Sequence, residues 1–237
     1  MGIIYEYFMF NGVNSRDYDV WISGNGTFDA PARDVSSESV PGRNGDLHID
    51  NGRFNNIKIT YPAFITKDFQ HNFNAFKAFL LSQRGYKKLE DSYNPGFYRM
   101  ASYQEAIAPK MVPLNRAGSF DIVFDCMPQR FLVEGDRVKT FTAAGSLKNP
   151  TLYDALPLIR AYGTGSLTVN GTTIQISSAN VYTDIDCDIQ EAYKGSTSCN
   201  ANITLADGAF PVLSPGLNTI SFTGLTQLDI TPHWWTI

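Results

Sequence analysis

Apolar side chains recur at alternate positions in segment after segment of this 237-residue chain, and at helical spacing in only one. That contrast constrains the fold more than any motif. A period of two places successive side chains on opposite faces of a strand, whereas a period of 3.6 lines one face of a helix. Residues 3–10 are aromatic and β-branched, and Asn11-Gly12 then supplies a turn. In residues 46–50, Leu47 and Ile49 face one side while Asp46, His48 and Asp50 face the other. Asn51-Gly52 follows as a hairpin signal, and residues 57–61 alternate again. Phe69, Phe73, Phe76 and Leu80 then stand at i, i+4, i+7 and i+11, which predicts a helix that Gly85 can terminate. Residues 120–124 read as one more strand, closed by Pro128.

The remainder has little helical period. Residues 166–176 split around Asn170-Gly171 into a hairpin that sets Leu167 and Val169 against Ile174 and Ile176. Residues 181–193 alternate, with Ile185, Cys187 and Ile189 inward and Asp184, Asp186, Asp188 and Gln190 outward. Residues 203–205, 219–222 and 225–230 are further short strands. The expected class is mainly β: two β-sandwich domains, the N-terminal one with a single α-helix and the C-terminal one of jelly-roll type.

Charge marks the division. Residues 140–237 carry only Lys148, Arg160 and Lys194 against Asp154, Asp184, Asp186, Asp188, Glu191, Asp207 and Asp229. Subtracting these from the chain's 19 basic and 23 acidic residues leaves 16 of each in residues 1–139. The shift falls in residues 140–150, a Thr/Ala/Gly/Ser/Asn/Pro stretch that reads as a linker or exposed loop. The expected domains are therefore 1–139 and 140–237. With a net charge of −4 there is no basic footprint for tight nucleic-acid binding. Apolar runs such as Ala78-Phe79-Leu80-Leu81 fall far short of the roughly 18 residues of a membrane span. The first ten residues lack a basic region and include Glu6, so they read as a strand and not as a signal peptide. Cys126, Cys187 and Cys199 show no CxxC spacing, which suits synthesis in a reducing cytoplasm. On that view the Asn-x-Thr triplets at Asn25, Asn170 and Asn202 are chance.

Catalytic chemistry finds little foothold. His48, His71 and His233 lie in no nucleophile-elbow, zincin or Walker pattern, and no local signal assembles a Ser-His-Asp set. Gly163-x-Gly165 precedes a strand and lacks a third glycine, so it is no dinucleotide motif. Asp46, His48 and Asp50 share one strand face and have metal-ligand chemistry, yet they equally suit the solvent face of a half-buried strand. Asp184, Asp186 and Asp188 would suit calcium, but spacings of roughly 6–7 Å along a strand favour charges that block edge pairing. Glu90, Asp91 and Glu105 are the carboxylates a glycosidase pair would draw on, with surface solvation the simpler reading. Cys187 and Cys199 are read as free thiols in preference to a cross-strand bond. Of Trp21, Trp234 and Trp235, the adjacent pair must point to opposite faces, so one enters the core and the other is exposed or at an interface. No catalytic, cofactor-binding or metal residue is assigned.

Several strings stand in order along the whole chain: FMFNGVNS (8–15), VPGRNGDL (40–47), GRFNN (52–56), GYKKLEDSYNPGFYRMA (85–101) and FDCMPQRF (124–131). NPTLYDALPLIRAYGTG (149–165), PGLNTISF (215–222) and PHWWTI (232–237) continue the series. Together they resemble siphophage distal tail (Dit) proteins. Met127 departs from a common Lys and His233 from an Arg, each removing a fixed positive charge. The resemblance implies a non-enzymatic virion protein forming a hexameric ring at the distal end of a phage tail. The N-terminal domain would build the ring and a galectin-like C-terminal domain would project outward. Implied partners are five further copies, the tail tube protein, the tail-tip hub (tail-associated) protein and a receptor-binding protein. DNA would pass through the lumen unbound, with no membrane insertion. Pro41, Gly42, Arg43, Asn44, Gly45, Trp234 and Trp235 are the expected interface residues. The competing expectation is a carbohydrate-binding module using an exposed tryptophan with Asn180, Asn200 and Asn202, and a glycan hydrolase ranks below both.

Overall fold

The computed structural model describes residues 6–24, 28–111, 116–179 and 181–237. It is mainly β, 52% strand and 11% helical, with one α-helix among the described residues. The chain divides into two compact units, the first running to Arg130 and the second spanning Phe131–Thr236.

The first unit contains β1 (Phe8–Phe10), β2 (Val13–Asn14), β3 (Val20–Ile22), β4 (Arg33–Glu38), β5 (Leu47–Phe54), β6 (Ile57–Ile65), α1 (Phe69–Ser82), β7 (Lys87–Asp91), β8 (Phe97–Tyr103), β9 (Lys110–Met111) and β10 (Gly118–Cys126). Its main sheet runs β2-β1-β7-β8-β10-β6-β3, with β9 also on β10. β6 and β10 pair over nine antiparallel positions, from Gly118↔Ile65 to Cys126↔Ile57. In both strands the buried positions alternate and face one another, so one face of the sheet is continuously apolar. Helix α1 covers that face with Phe69, Phe73, Phe76 and Leu80, the four residues of the helical stripe. Phe73 stands edge-on to Phe120 at 5.0 Å, and Phe8 packs against Tyr61 and Phe124, each at 5.6 Å. At roughly 1.5–3 kcal/mol for each buried large apolar side chain, this aromatic cluster is the unit's main source of stability. Gly118 has no substitute there, because a Cβ would enter the Phe69 ring.

The second unit contains β12 (Lys139–Phe141), β13 (Gly145–Asn149), β14 (Leu158–Val169), β15 (Thr172–Ile176), β16 (Tyr182–Asp186), β17 (Glu191–Lys194), β18 (Thr197–Ser198), β19 (Ile203–Leu205), β20 (Gly216–Thr231) and β21 (Trp235–Thr236). β11 (Arg130–Leu132) leads into it and pairs with β21. The sheet order is β12-β20-β14-β16-β17-β18, while β13 joins β20 and β15 bridges β14 and β19. β14 and β20 are the long strands, and both bend where their register shifts at Gly163–Ser166. Before the bend β14 pairs with β16, and after it with β15. A β-bulge with glycines at the crossing lets a strand change direction without losing its partner. The enclosed core is aliphatic, built from Ile159, Leu167, Val169, Ile174, Ile185, Leu228 and Ile230, with Trp234 added at 2% exposure.

Several expectations need correction. Residues 140–150 are not a linker: β12 and β13 both pair with β20, because small polar residues suit an edge strand as well as a loop. Asn51-Gly52 is not a hairpin turn but a bulge inside β5, whose partner β4 lies upstream. Residues 219–222 and 225–230 are one strand, β20, and not two. Helix α1 closes at the extended Gln83, two residues before Gly85. Residues 187–190 form a turn, so Ile189 is 57% exposed instead of inward. Of the N-terminal strand, residues 3–5 lie outside the described residues, as do Asn25 and Asn180.

Candidate functional site

Among the described residues β4 and β5 pair only with each other, forming a two-stranded ribbon apart from the main sheet. Asp34 and Phe54 are half-buried, and every other residue of the two strands is exposed. Val35, Val40, Leu47 and Ile49 are each between 41% and 44% exposed, so neither face of the ribbon is covered. Pro41, Gly42, Arg43, Asn44 and Gly45 form its tip, where the Arg43 N–H donates to the Val40 carbonyl at 3.1 Å. An isolated two-stranded ribbon is marginal in water. Its side chains are tied by the ion pairs Arg53–Asp34 at 2.6 Å and Arg33–Asp50 at 3.4 Å, which water screens. Hydrogen bonds from Arg53 and Asn51 hold the Asp34 carboxyl below its ordinary value. The ribbon therefore offers open backbone edges and apolar side chains, with little of its own to hold it straight.

The two tryptophans separate as expected. Trp234 is core, and its carbonyl accepts from the Leu132 N–H at 2.8 Å. Trp235 is half-exposed: its ring stacks on Tyr153 at 4.3 Å and its Nε1 donates to the Asp154 carbonyl at 2.8 Å. One face and the polar edge of the indole are thus already engaged. Trp21 sits on β3, and its Nε1 donates to Asp19 at 3.0 Å.

The residues with catalytic or metal-ligating chemistry are engaged elsewhere. On the ribbon, His48 Nδ1 lies 2.9 Å from Ser37 Oγ, and Asp50 accepts from the Gly52 N–H and from Arg33. Asp184 is not the outward, free carboxylate expected: it is 5% exposed and clasped by Arg160 through Nε at 2.6 Å and Nη2 at 3.0 Å. That pairing raises the Arg160 guanidinium further. Asp186 accepts from the Asp188 and Ile189 N–H groups that close the turn. Among the described residues no three His, Cys, Asp or Glu side chains converge as metal ligands. Lys88 pairs with Glu90, Lys58 pairs with Glu105, and Asp91 accepts from Tyr61 and Asn94. His71 lies on α1, and His233 Nδ1 is 3.4 Å from the Leu156 carbonyl. Cys126, Cys187 and Cys199 are free thiols, and burial pushes Cys126 and Cys187 up to about 12. Asn200 Oδ1 accepts from the Ala192 N–H at 2.6 Å, and the Asn202 carbonyl accepts from Ser177.

Buried polar residues that pattern reading missed lie inside the NPTLYD and PGLNTISF strings. Asn149 donates to the Tyr153 and Leu213 carbonyls and accepts from the Thr151 N–H and hydroxyl. Asn218 donates to the carbonyls of Leu147, Ser214 and Gly216 and accepts from Asn170. Asn-Pro-Thr is a recognisable turn signal, but its burial is visible only in three dimensions.

No family model matches the chain, and no curated protein matches it by sequence. Solved structures do. The SPP1 Dit (gp 19.1) protein, described as a paradigm of the hub adsorption apparatus in phages infecting Gram-positive bacteria, superposes with a TM-score of 0.76. The two are 14% identical, over 99% of this chain and 100% of that one. A chain of the phage P2 baseplate in its activated conformation with Ca gives a TM-score of 0.51 at 11% identity, covering 96% of this chain and 98% of that one. The likeness read from scattered sequence strings extends to the fold of the whole chain.

Proposed function

We propose that this protein is a structural hub subunit of a phage tail, acting without catalysis in the virion. The observation that carries the reading is whole-length similarity of fold to a Dit hub protein. The exposed ribbon supports it, since a ribbon with two bare faces gains most of its stability by lying on another protein. In this reading six copies close into a ring, and the Pro41–Gly45 tip with Val35, Leu47 and Ile49 docks on the neighbouring copy. The first unit builds the ring and the second forms a galectin-like outward domain. The ring joins the tail tube protein to the tail-tip hub protein and a receptor-binding protein, and DNA crosses its lumen without specific contacts.

A carbohydrate-binding role for the second unit has less support. Trp234 is buried, and Trp235 has one face on Tyr153. Light scattering with negative-stain imaging tests the ring: six chains of 26.3 kDa weigh about 158 kDa. Rings that fall to single chains in a Leu47→Glu/Ile49→Glu variant with an unchanged melting temperature support the ribbon contact. Wild-type protein that stays at one chain at every concentration, even with the tail tube protein added, overturns the ring.

A further inference from the structure

Between β7, β8 and the end of the first unit lies a small cavity lined by Tyr61, Asp91, Asn94, Phe97, Arg99 and Arg130. It offers about 20 Å3, the room of a single water or halide ion. Two of its eight lining residues are arginines. Arg99 is only 9% exposed, and among the described residues one of its five N–H donors, on Nη1, reaches a protein acceptor, the Pro128 carbonyl at 2.9 Å. Arg130 donates to Asn94 Oδ1 at 3.0 Å and lies 4.7 Å from the centre of the Phe97 ring. Among the described residues neither arginine has a carboxylate within ion-pair distance.

The nearest negative charge is already committed. Asp91 Oδ2 accepts the Tyr61 hydroxyl at 2.7 Å, while Oδ1 accepts the Asn94 N–H at 2.8 Å and the Asn94 amide at 3.0 Å. Turning that carboxylate toward Arg99 would strip three donors. No Arg99 nitrogen is both buried and unpartnered among the described residues, so its remaining donors meet the solvent that enters the cavity, where an arginine that cannot shed its proton, beside a second cation, can exchange water for an anion. Burial, the largest influence, and the Arg130 charge weaken the protonated state of Arg99, while Cys126, Tyr61 and Asp91 act the other way.

We propose that this cavity binds one small monovalent anion of halide size, chloride in ordinary solution, between Arg99 and Arg130. The anion accepts the idle Arg99 donors and offsets the repulsion between the two guanidinium groups.

The test is thermal melting of the full chain as sodium chloride replaces sodium gluconate at constant ionic strength, gluconate being too large for the space. The wild type is expected to gain about 2–4 °C, saturating once the anion reaches several times its dissociation constant. Bromide should substitute for chloride. Arg130→Gln keeps a donor for Asn94, and Arg130 is only half-buried, so the variant should fold while losing the chloride-dependent gain. A wild-type midpoint indifferent to chloride overturns the proposal, because a water molecule then suffices. A gain that survives in Arg130→Gln overturns it equally, by placing the anion elsewhere.

Discussion

Gly165 and Asp19 illustrate how single residues hold this fold for different reasons. At Gly165 φ is +151°, and a Cβ would run into the Thr223 carbonyl across the β14–β20 crossing. Ala at 165 must break that pairing or displace β20, so Gly165→Ala is expected to cost about 2–4 kcal/mol by denaturant unfolding. Asp19 works through hydrogen bonds. Its carboxylate accepts from Trp21, from the Thr66 N–H and hydroxyl, and from the Lys67 N–H. Partial burial opposes its charge, but these donors outweigh it and hold the carboxyl below its ordinary value. A depressed folded pKa means the stabilisation is complete above the unfolded value of about 3.9 and is lost as pH falls through the folded one. Asp19→Asn should therefore destabilise the chain at pH 7 and flatten the acid limb of its stability curve, measured by urea unfolding across pH 2–6. Thiol chemistry separates three further residues. With Cys126 and Cys187 buried at about 12, a thiol reagent at pH 8 should label Cys199 in the native protein and all three only after unfolding.

Elements were legible in the sequence wherever one face is buried by the element's own unit. The period-two pattern of β6, the Phe69/Phe73/Phe76/Leu80 stripe of α1 and the Asn170-Gly171 hairpin all follow from burial that neighbours in sequence can signal. Phe76→Ala, at the centre of that stripe, should cost about 3–5 kcal/mol. The ribbon was misread for the same reason. Leu47 and Ile49 alternate as a half-buried strand does, yet among the described residues they stand 43% and 44% exposed, and a pattern of side chains does not say what buries it. Asn51-Gly52 misled likewise: the dipeptide reports backbone freedom, which a bulge uses as readily as a turn. The turn residues of the tip were readable, whereas the ribbon's separation from the main sheet was not. Hydrogen exchange is the measurement suited to this element. Amides of β4 and β5 should exchange quickly in isolated chains and slow by at least tenfold in rings, while those of β6 and β10 change little.

For the whole molecule, charge is the relevant quantity. The net −4 is carried by residues 140–237, leaving the rest balanced. A protein of this balance has no excess of cations to drive counterion release, so duplex DNA should show no retardation by it at 150 mM salt. Retardation would contradict a lumen through which DNA slides freely. The bend shared by β14 and β20 bears on a different matter, the order of events during synthesis. β20 is the common partner of β12, β13 and β14, and it ends at Thr231. Strands β1 to β10 have all been made once Cys126 has left the ribosome, whereas the second unit cannot close its sheets until about a hundred residues later. At about 5–20 residues per second that is a gap of roughly 5–20 s, in which a finished first unit can display its ribbon while the second is still open chain. Translation itself thus spaces the two folding events, and a chain truncated before β20 would leave the ribosome with only the first unit able to fold.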